Sequence, residues 1–359
     1  MGGSVQIGRL FGIPVRLHIT FLLLVAFIGV AGLMSGGPSK ALWSMVFIVA
    51  LFACVVVHEL AHSLVARSYG VRVESITLLP IGGVASMEEM PRRPAEEGMM
   101  AIAGPAASLA IAGALYAVVH LIGYRGPMAY GERPLLVMLM WTNVMIAGFN
   151  LLPAFPMDGG RVLRAVLAHY MDHVRATDIA VSLGQGLAVV IGLAGIFLLN
   201  MNIWLVLIAI FIFLGAGQEG RQVRTQAVLE RVSAGQAMIR RFETLDRNAP
   251  LSIALAYATQ GYQHDFPVVE GDMIVGVVTR QDLLTGLHTL GPHRTVGEVM
   301  TTNVCQVPPD ANMADVYRRL AQGGCGVVLV REHDRIIGLV TPESFRDQLV
   351  ASSGGPAAS

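Results

Sequence analysis

Five consecutive residues, His58-Glu59-Leu60-Ala61-His62, carry the most direct chemistry in this chain. Two histidines four apart share one face of a helix and can grip one metal ion. The glutamate between them stands where it can take a proton from a metal-activated water. The pattern is that of a zinc hydrolase, but its setting is unusual. The run from Leu42 through Cys54 and Val57 into His58 is almost wholly apolar and long enough to cross a bilayer. Ionisable groups at membrane depth are costly and mark function. The motif reads as hydrolytic chemistry placed inside a membrane.

A catalytic zinc site takes three protein ligands and a water. Asp158 is the candidate third ligand, in Asn150-Leu151-Leu152-Pro153-Ala154-Phe155-Pro156-Met157-Asp158-Gly159-Gly160-Arg161. Two prolines break the preceding helix there, and two glycines let the chain turn tightly. Irregular backbone at membrane depth survives only where protein or a water cavity surrounds it. A carboxylate in such a segment has reason to meet the histidines. It could equally cap a helix starting at Gly159, and spacing alone leaves both roles open. Asn143 and Asn150, seven apart, share a helix face. They are candidates for the shell around the metal or for stabilising an oxyanion, with inter-helix packing as the alternative. Cys54, one turn before His58, reads as a small packing residue.

The elements that must position these groups are apolar. Of 359 residues, 54% are hydrophobic and 14% charged, with mean hydropathy +0.60. That excludes a soluble protein with one ordinary core. A formal net charge of zero gives no sign of a nucleic-acid partner. Apolar segments near 17–34, 42–66, 99–122, 135–153, 181–199 and 202–217 predict about six transmembrane helices. The first reads as a retained helix rather than a cleaved signal, because Arg9 and Arg16 precede a full-length span and another follows directly. Arginines at 9, 16, 67, 72, 92, 93, 161, 164, 175, 221 and 224 fall on one side. Only Lys40, Arg125 and Arg133 fall on the other, which predicts cytoplasmic termini in a plasma or inner membrane. Cys54, Cys305 and Cys325 show no metal-type spacing and suggest no disulfide framework, so the non-membrane part is expected in a reducing compartment.

Residues 69–90 alternate polar and apolar and predict a β-hairpin near the membrane, with Glu88, Glu89, Glu96 and Glu97 solvated. After about residue 225 the composition becomes ordinary. Residues 232–288 and 296–350 are two copies of one unit: Met238 and Met300, Gly276 and Gly338, and Thr279 and Thr341 all stand 62 apart. A constant offset points to duplication. Each copy predicts a short helix, an apolar-periodic helix and two strands. The strands are Phe266–Val269 with Ile274–Thr279, and Gly326–Val330 with Ile336–Thr341. Residues 221–231 read as a linker, and 351–359 as a small, polar, disordered tail.

Residues 1 to about 220 resemble the site-2 protease family of intramembrane zinc metalloproteases. His58-Glu59-Leu60-Ala61-His62 fits the family's H-E-x-x-H. Asn150-Leu151-Leu152-Pro153 with Pro156-Met157-Asp158-Gly159-Gly160 fits its N-x-x-P-x-x-P-L-D-G-G, with Met157 in place of Leu. Leu10-Phe11-Gly12-Ile13-Pro14-Val15-Arg16 resembles its amino-terminal segment. Ala103-Gly104-Pro105 matches its A-G-P, while Ser108 stands where Asn is usual, so no catalytic role is assigned to it. The resemblance implies a polytopic α-helical membrane fold with a small membrane-associated hairpin. It implies Zn2+ on His58, His62 and Asp158, Glu59 as base, and a strand edge that receives unwound substrate. The implied activity is regulated intramembrane proteolysis of membrane proteins, such as anti-sigma factors or pro-transcription factors.

The C-terminal repeat resembles a tandem of CBS (cystathionine-β-synthase-type) domains. These are α+β modules that pair through their sheets, often associate into homodimers and often bind ATP, ADP or AMP. Thr279 and Asp282 fit the family's nucleotide-contacting Thr and Asp. Thr341 is the counterpart in the second copy, where Ser344 replaces Asp. Asp282 also fits a helix cap. Two other function classes fit the sequence less well. A CBS-regulated transporter or channel would need a polar path across the bilayer, yet the ionisable residues at depth cluster near one face. A catalytically silent scaffold would have no need of Glu59.

Overall fold

The computed structural model describes residues 3–87, 93–124, 126, 134–198, 201–260, 263–271, 273–322, 325–333, 335–341 and 344. Two compact units divide the chain, Met1–Arg221 and Gln222–Ser359.

The first unit opens with strands that the apolar pattern does not reveal. β1 (Ser4–Leu10) and β2 (Ile13–His18) form an antiparallel hairpin, so the first helix starts at Ile19. That helix, α1 (Ile19–Ser68), runs through two of the six apolar segments. It folds back at Gly36 and Gly37, where helical geometry is lost ahead of Pro38. Gly37 sits at φ 78°, a conformation that side chains resist. The two arms pack against each other, with the Phe21 and Phe52 rings 4.5 Å apart.

β3 (Val73–Leu79) and β4 (Gly82–Met87) make the expected hairpin. It does not stand alone, because β3 also pairs in parallel with β2, giving a sheet ordered β1-β2-β3-β4. Its apolar face, Ile13, Val15, Ile76 and Leu78, packs on Phe52, Val56 and Leu60 of α1. The sheet therefore lies against the arm that carries the H-E-x-x-H motif.

α2 (Pro94–Leu121), α3 (Leu135–Asn150), α4 (Asp158–Ala168), α5 (His173–Leu193, continued to Leu198 by a π-helical turn) and α6 (Ile203–Arg231) complete this unit and lead out of it. Among the described residues α1, α2, α6 and α5 with its turn are long and apolar enough to cross a membrane; α3 is a shorter apolar helix. Large apolar side chains such as Phe27, Val190 and Phe213 point outward, as a lipid solvent demands. The chain is a polytopic α-helical membrane protein. Glu97 departs from expectation: it is buried against Arg164 rather than solvated. Glu88, Glu89 and the tail 351–359 lie outside the described residues.

The second unit contains α7 (Ala234–Ala237), β5 (Leu245–Asp246), α8 (Leu251–Gln260), β6 (Asp265–Glu270), β7 (Met273–Thr279), α9 (Arg280–Leu290), β8 (Cys305–Val307), α10 (Met313–Gln322), β9 (Val328–Glu332) and β10 (Arg335–Val340). Two three-stranded sheets, β5-β6-β7 and β8-β9-β10, repeat one pattern of a parallel and an antiparallel pairing. The short strands β5 and β8 are additional to those read from sequence. Val277 packs with Val327, Leu329 and Leu339, so the sheets share one apolar interface. The segments leading into each copy are exchanged: Ile239 bridges Leu339, and Thr301, 62 residues after Ile239, bridges Val277. Cys305 and Cys325 form a disulfide, with Cα atoms 6.1 Å apart. This corrects the expectation of no disulfide and removes the cysteine argument for a reducing compartment.

Candidate metal centre

His58 and His62 lie in the second arm of α1, and both are buried. Asp158 is the first residue of α4. The structure brings the three together: His58 Nε2 lies 3.2 Å from His62 Nε2. Asp158 Oδ2 stands 3.3 Å from His58 Nε2 and 3.2 Å from His62 Nε2. Asp158 does not act as the cap. The N-cap of α4 is Met157, and no side chain bonds there. The helix N-terminus nevertheless favours a carboxylate at this position.

The other ring nitrogens settle what faces what. His62 Nδ1 donates to the Met100 carbonyl at 2.7 Å, which leaves Nε2 bare in the neutral ring. His58 Nδ1 pairs with Ser108 Oγ at 2.9 Å. Both Nε2 atoms then turn toward the buried Asp158 Oδ2, and His62 brings a bare nitrogen to it. The lone pairs of a neutral His62 Nε2 and an ionised Asp158 Oδ2 repel each other. A cation at their centre reverses the sign. Tetrahedral zinc, with bonds of about 2.0–2.1 Å, spaces its ligand atoms about 3.3 Å apart. The observed separations match, and the donor set of two imidazoles and a carboxylate suits that ion. Among the described residues these three form the one cluster able to hold a metal; Cys54 is a free cysteine outside it.

Met100, Gly104 and Ser108 stand four apart on α2 and so share a face. Met100 and Ser108 orient the two rings, as outer groups commonly do at metal sites. Gly104 lies between them: a Cβ there would sit 2.6 Å from His58 Nε2 and closer still to His62 Nε2. Sequence reasoning gave Ser108 no role and could not find Met100, which acts through its backbone. The small residues at spacing four were the available signal.

Glu59 points toward the sheet. A Cβ on Gly83 of β4 would come within 2.5 Å of Glu59 Cγ, so β4 backbone runs directly beside this side chain. Asn143 and Asn150 donate to carbonyls of their own helix, Leu139 at 2.8 Å and Ile146 at 3.0 Å. Asn143 Oδ1 is left buried without a partner. In the second unit Asp282 accepts from Thr279 N at 2.9 Å and Thr279 Oγ1 at 2.7 Å, a reciprocal cap on α9. Thr341 and Ser344 repeat the arrangement.

Comparison with known proteins shows the family. The model of peptidase family M50 matches residues 46–129 and 126–191. The CBS domain model matches residues 234–289 and 296–351. A zinc metalloprotease of Methanocaldococcus jannaschii is 35% identical over 347 residues, covering 95% of this chain and 94% of its own. Rip3 of Mycobacterium tuberculosis is 30% identical over 369 residues, covering 95% and 92%. The solved site-2 protease from Methanocaldococcus jannaschii is 42% identical, covers 61% of this chain and 95% of its own, and superposes with a TM-score of 0.45. The chain belongs to peptidase family M50, and it is a multi-pass membrane zinc metalloendopeptidase with a tandem pair of CBS domains.

Proposed function

We propose that this protein cuts membrane-protein substrates within their transmembrane segments, with Zn2+ held by His58, His62 and Asp158 and Glu59 as the acid–base residue. The observation that carries the reading is the cluster of two Nε2 atoms and one carboxylate oxygen within 3.3 Å at the end of an apolar helix. Bound zinc would supply Lewis acidity, polarising the scissile carbonyl and acidifying the attacking water. Glu59 takes the proton of that water and later gives it to the leaving nitrogen. Asn143 and Asn150 each give one amide N–H to their own helix and keep the other, and Asn143 Oδ1 has no partner among the described residues, which supports a polar role for this face of α3 in the shell around the metal.

A transmembrane helix hides its peptide bonds and must unwind before attack. β4 ends the sheet order and passes Glu59, so its free edge supports capture of an unwound substrate as an added strand. The arginine distribution supports cytoplasmic termini, a cytoplasmic CBS pair and residence in the plasma or inner membrane. The proposal includes single-span substrates of the anti-sigma-factor or pro-transcription-factor kind. It also includes regulation by the CBS pair through an adenine nucleotide at Thr279, Asp282 and Thr341, and homodimer formation through that pair. ATP, ADP and AMP titrated into the full chain test the nucleotide reading, which a failure of all three to bind would end.

The decisive test is reconstitution with zinc and a single-span substrate, followed by mass mapping of the products. Cleavage within the span, lost on chelation and restored by zinc, is expected. A cut outside the span, or one indifferent to chelation, would refute the assignment. A second expectation concerns Ser108→Ala. Loss of this partner should weaken zinc binding by about 10- to 100-fold, since outer-shell groups fix ring tautomer and orientation. Chelator competition measures it, and unchanged affinity would remove Ser108 from the site.

A further inference from the structure

We propose that Arg164 is a positioning residue for Asp158, clamped between Glu97 of α2 and Glu219 of α6. The proposal rests on His58, His62 and Asp158 being the zinc ligands. The three are not held alike. Each histidine ring is oriented by a hydrogen bond to α2. Among the described residues Asp158 has no comparable side-chain partner besides the histidines themselves. Its place depends on α4, an 11-residue helix that follows an irregular segment.

Arg164 is what ties α4 down. Its side chain is 3% exposed. Nε donates to Glu97 Oε1 at 2.8 Å, and Nη2 donates to the same oxygen. Nη1 donates to Glu219 Oε1 at 2.8 Å. The Phe155 ring lies 4.9 Å from the guanidinium carbon. One side chain thus joins α2, α4, α6 and the irregular segment just before Asp158.

α6 reinforces the joint along one face. Ile212 packs with Ala154 and Met157, and Ala216 packs with Phe155. A Cβ on Gly215 would lie 2.7 Å from Pro156 Cδ. Glu219 then meets Arg164. Ile212, Ala216 and Glu219 recur at the spacing of helical neighbours, so a single face of α6 supports Asp158 from both sides in sequence. Apolar residues could fill this space without desolvating three charges. The planar guanidinium fork does something they cannot: it fixes direction as well as distance. Direction is what a ligand at the start of a short helix requires. α6 also runs unbroken to Arg231, beyond the boundary of the first unit at Arg221.

The test uses the full chain in detergent, stripped and reloaded with Co2+. Its visible absorption reports ligand geometry without turnover, and chelator competition gives affinity. Arg164→Lys keeps the charge but loses the fork. Glu219→Gln keeps the shape but loses the α6 charge, and it carries the test alone should Arg164→Lys not fold. Val119→Ala, in the α2–α3 packing, is the control for general destabilisation. Arg164→Lys should weaken Co2+ binding about tenfold and shift the absorption bands, with a smaller change of the same sign in Glu219→Gln. Val119→Ala should leave both readings unchanged at a similar loss of melting temperature. In proteolysis, kcat should fall more than KM rises. Wild-type spectra and affinity in the folded variants would overturn the proposal. Failure of the wild-type chain to bind Co2+ would instead overturn the ligand assignment beneath it.

Discussion

Glu59→Gln is expected to keep one zinc per chain and to lose about 100- to 10,000-fold in kcat, the scale set by removing a general acid–base group. The separation of the two effects follows from the geometry. Metal retention depends on His58, His62 and Asp158, and on the bonds their rings make to Met100 and Ser108. None of these involves the Glu59 carboxylate. Gln is the right replacement because Gly83 of β4 packs against Glu59 Cγ, and an isosteric side chain keeps that contact. Ala would leave a gap beneath the strand and confuse lost chemistry with lost substrate docking. Bound zinc by atomic emission and single-span substrate cleavage are the two measurements. Retention of more than about a tenth of the wild-type rate would show that another group moves the proton, against the expected range.

What could be read from the sequence divides along physical lines. His58 and His62, which obey helix spacing, are plain as candidate ligands. Asp158 was not decided by spacing, because a carboxylate before two glycines suits a helix start as well as a metal. In the structure its Oδ2 faces the Nε2 atoms of both histidines rather than the backbone of α4, which supports the ligand reading. Met100 could not be found, since a backbone carbonyl has no residue signature. Glu97 reads as solvated in the sequence because its partner, Arg164, is 67 residues away. The β1–β2 hairpin was hidden beside the first apolar run, and its parallel pairing with β3 spans the whole of α1. In the C-terminal unit the offset of 62 revealed the repeat, but not the exchange of leading segments. Ile239 on Leu339 and Thr301 on Val277 preserve that offset as well as an unexchanged arrangement would. The odd cysteine count misled because one of the three, Cys54, sits in a membrane helix, leaving an even pair, Cys305 and Cys325, in the other unit.

Gly104→Ala is expected to remove zinc binding and proteolysis together, with affinity falling at least about 100-fold, the upper end of outer-shell effects. A methyl group there would enter the space between the two ligating nitrogens, 2.6 Å from His58 Nε2 and nearer to His62 Nε2. Relief would require α2 to withdraw or the rings to swing. Neither comes freely. Met100 holds His62 one turn before Gly104, and Ser108 meets His58 one turn after it, at 2.7 and 2.9 Å. Withdrawing the helix would break both bonds, and swinging the rings would dismantle the cluster. Helix propensity alone predicts the opposite, since Ala is favoured over Gly by about 0.8–1.0 kcal/mol within a helix. Gly113→Ala separates these effects. It lies on the same helix, and a Cβ there meets nothing within 4 Å. It should leave zinc and activity intact and melt no lower than the wild type. Zinc titration and thermal melts on both variants decide the matter. If Gly104→Ala bound zinc like Gly113→Ala, the approach of α2 to the histidines would be looser than its two hydrogen bonds require, and the metal would have to sit away from the three-atom cluster.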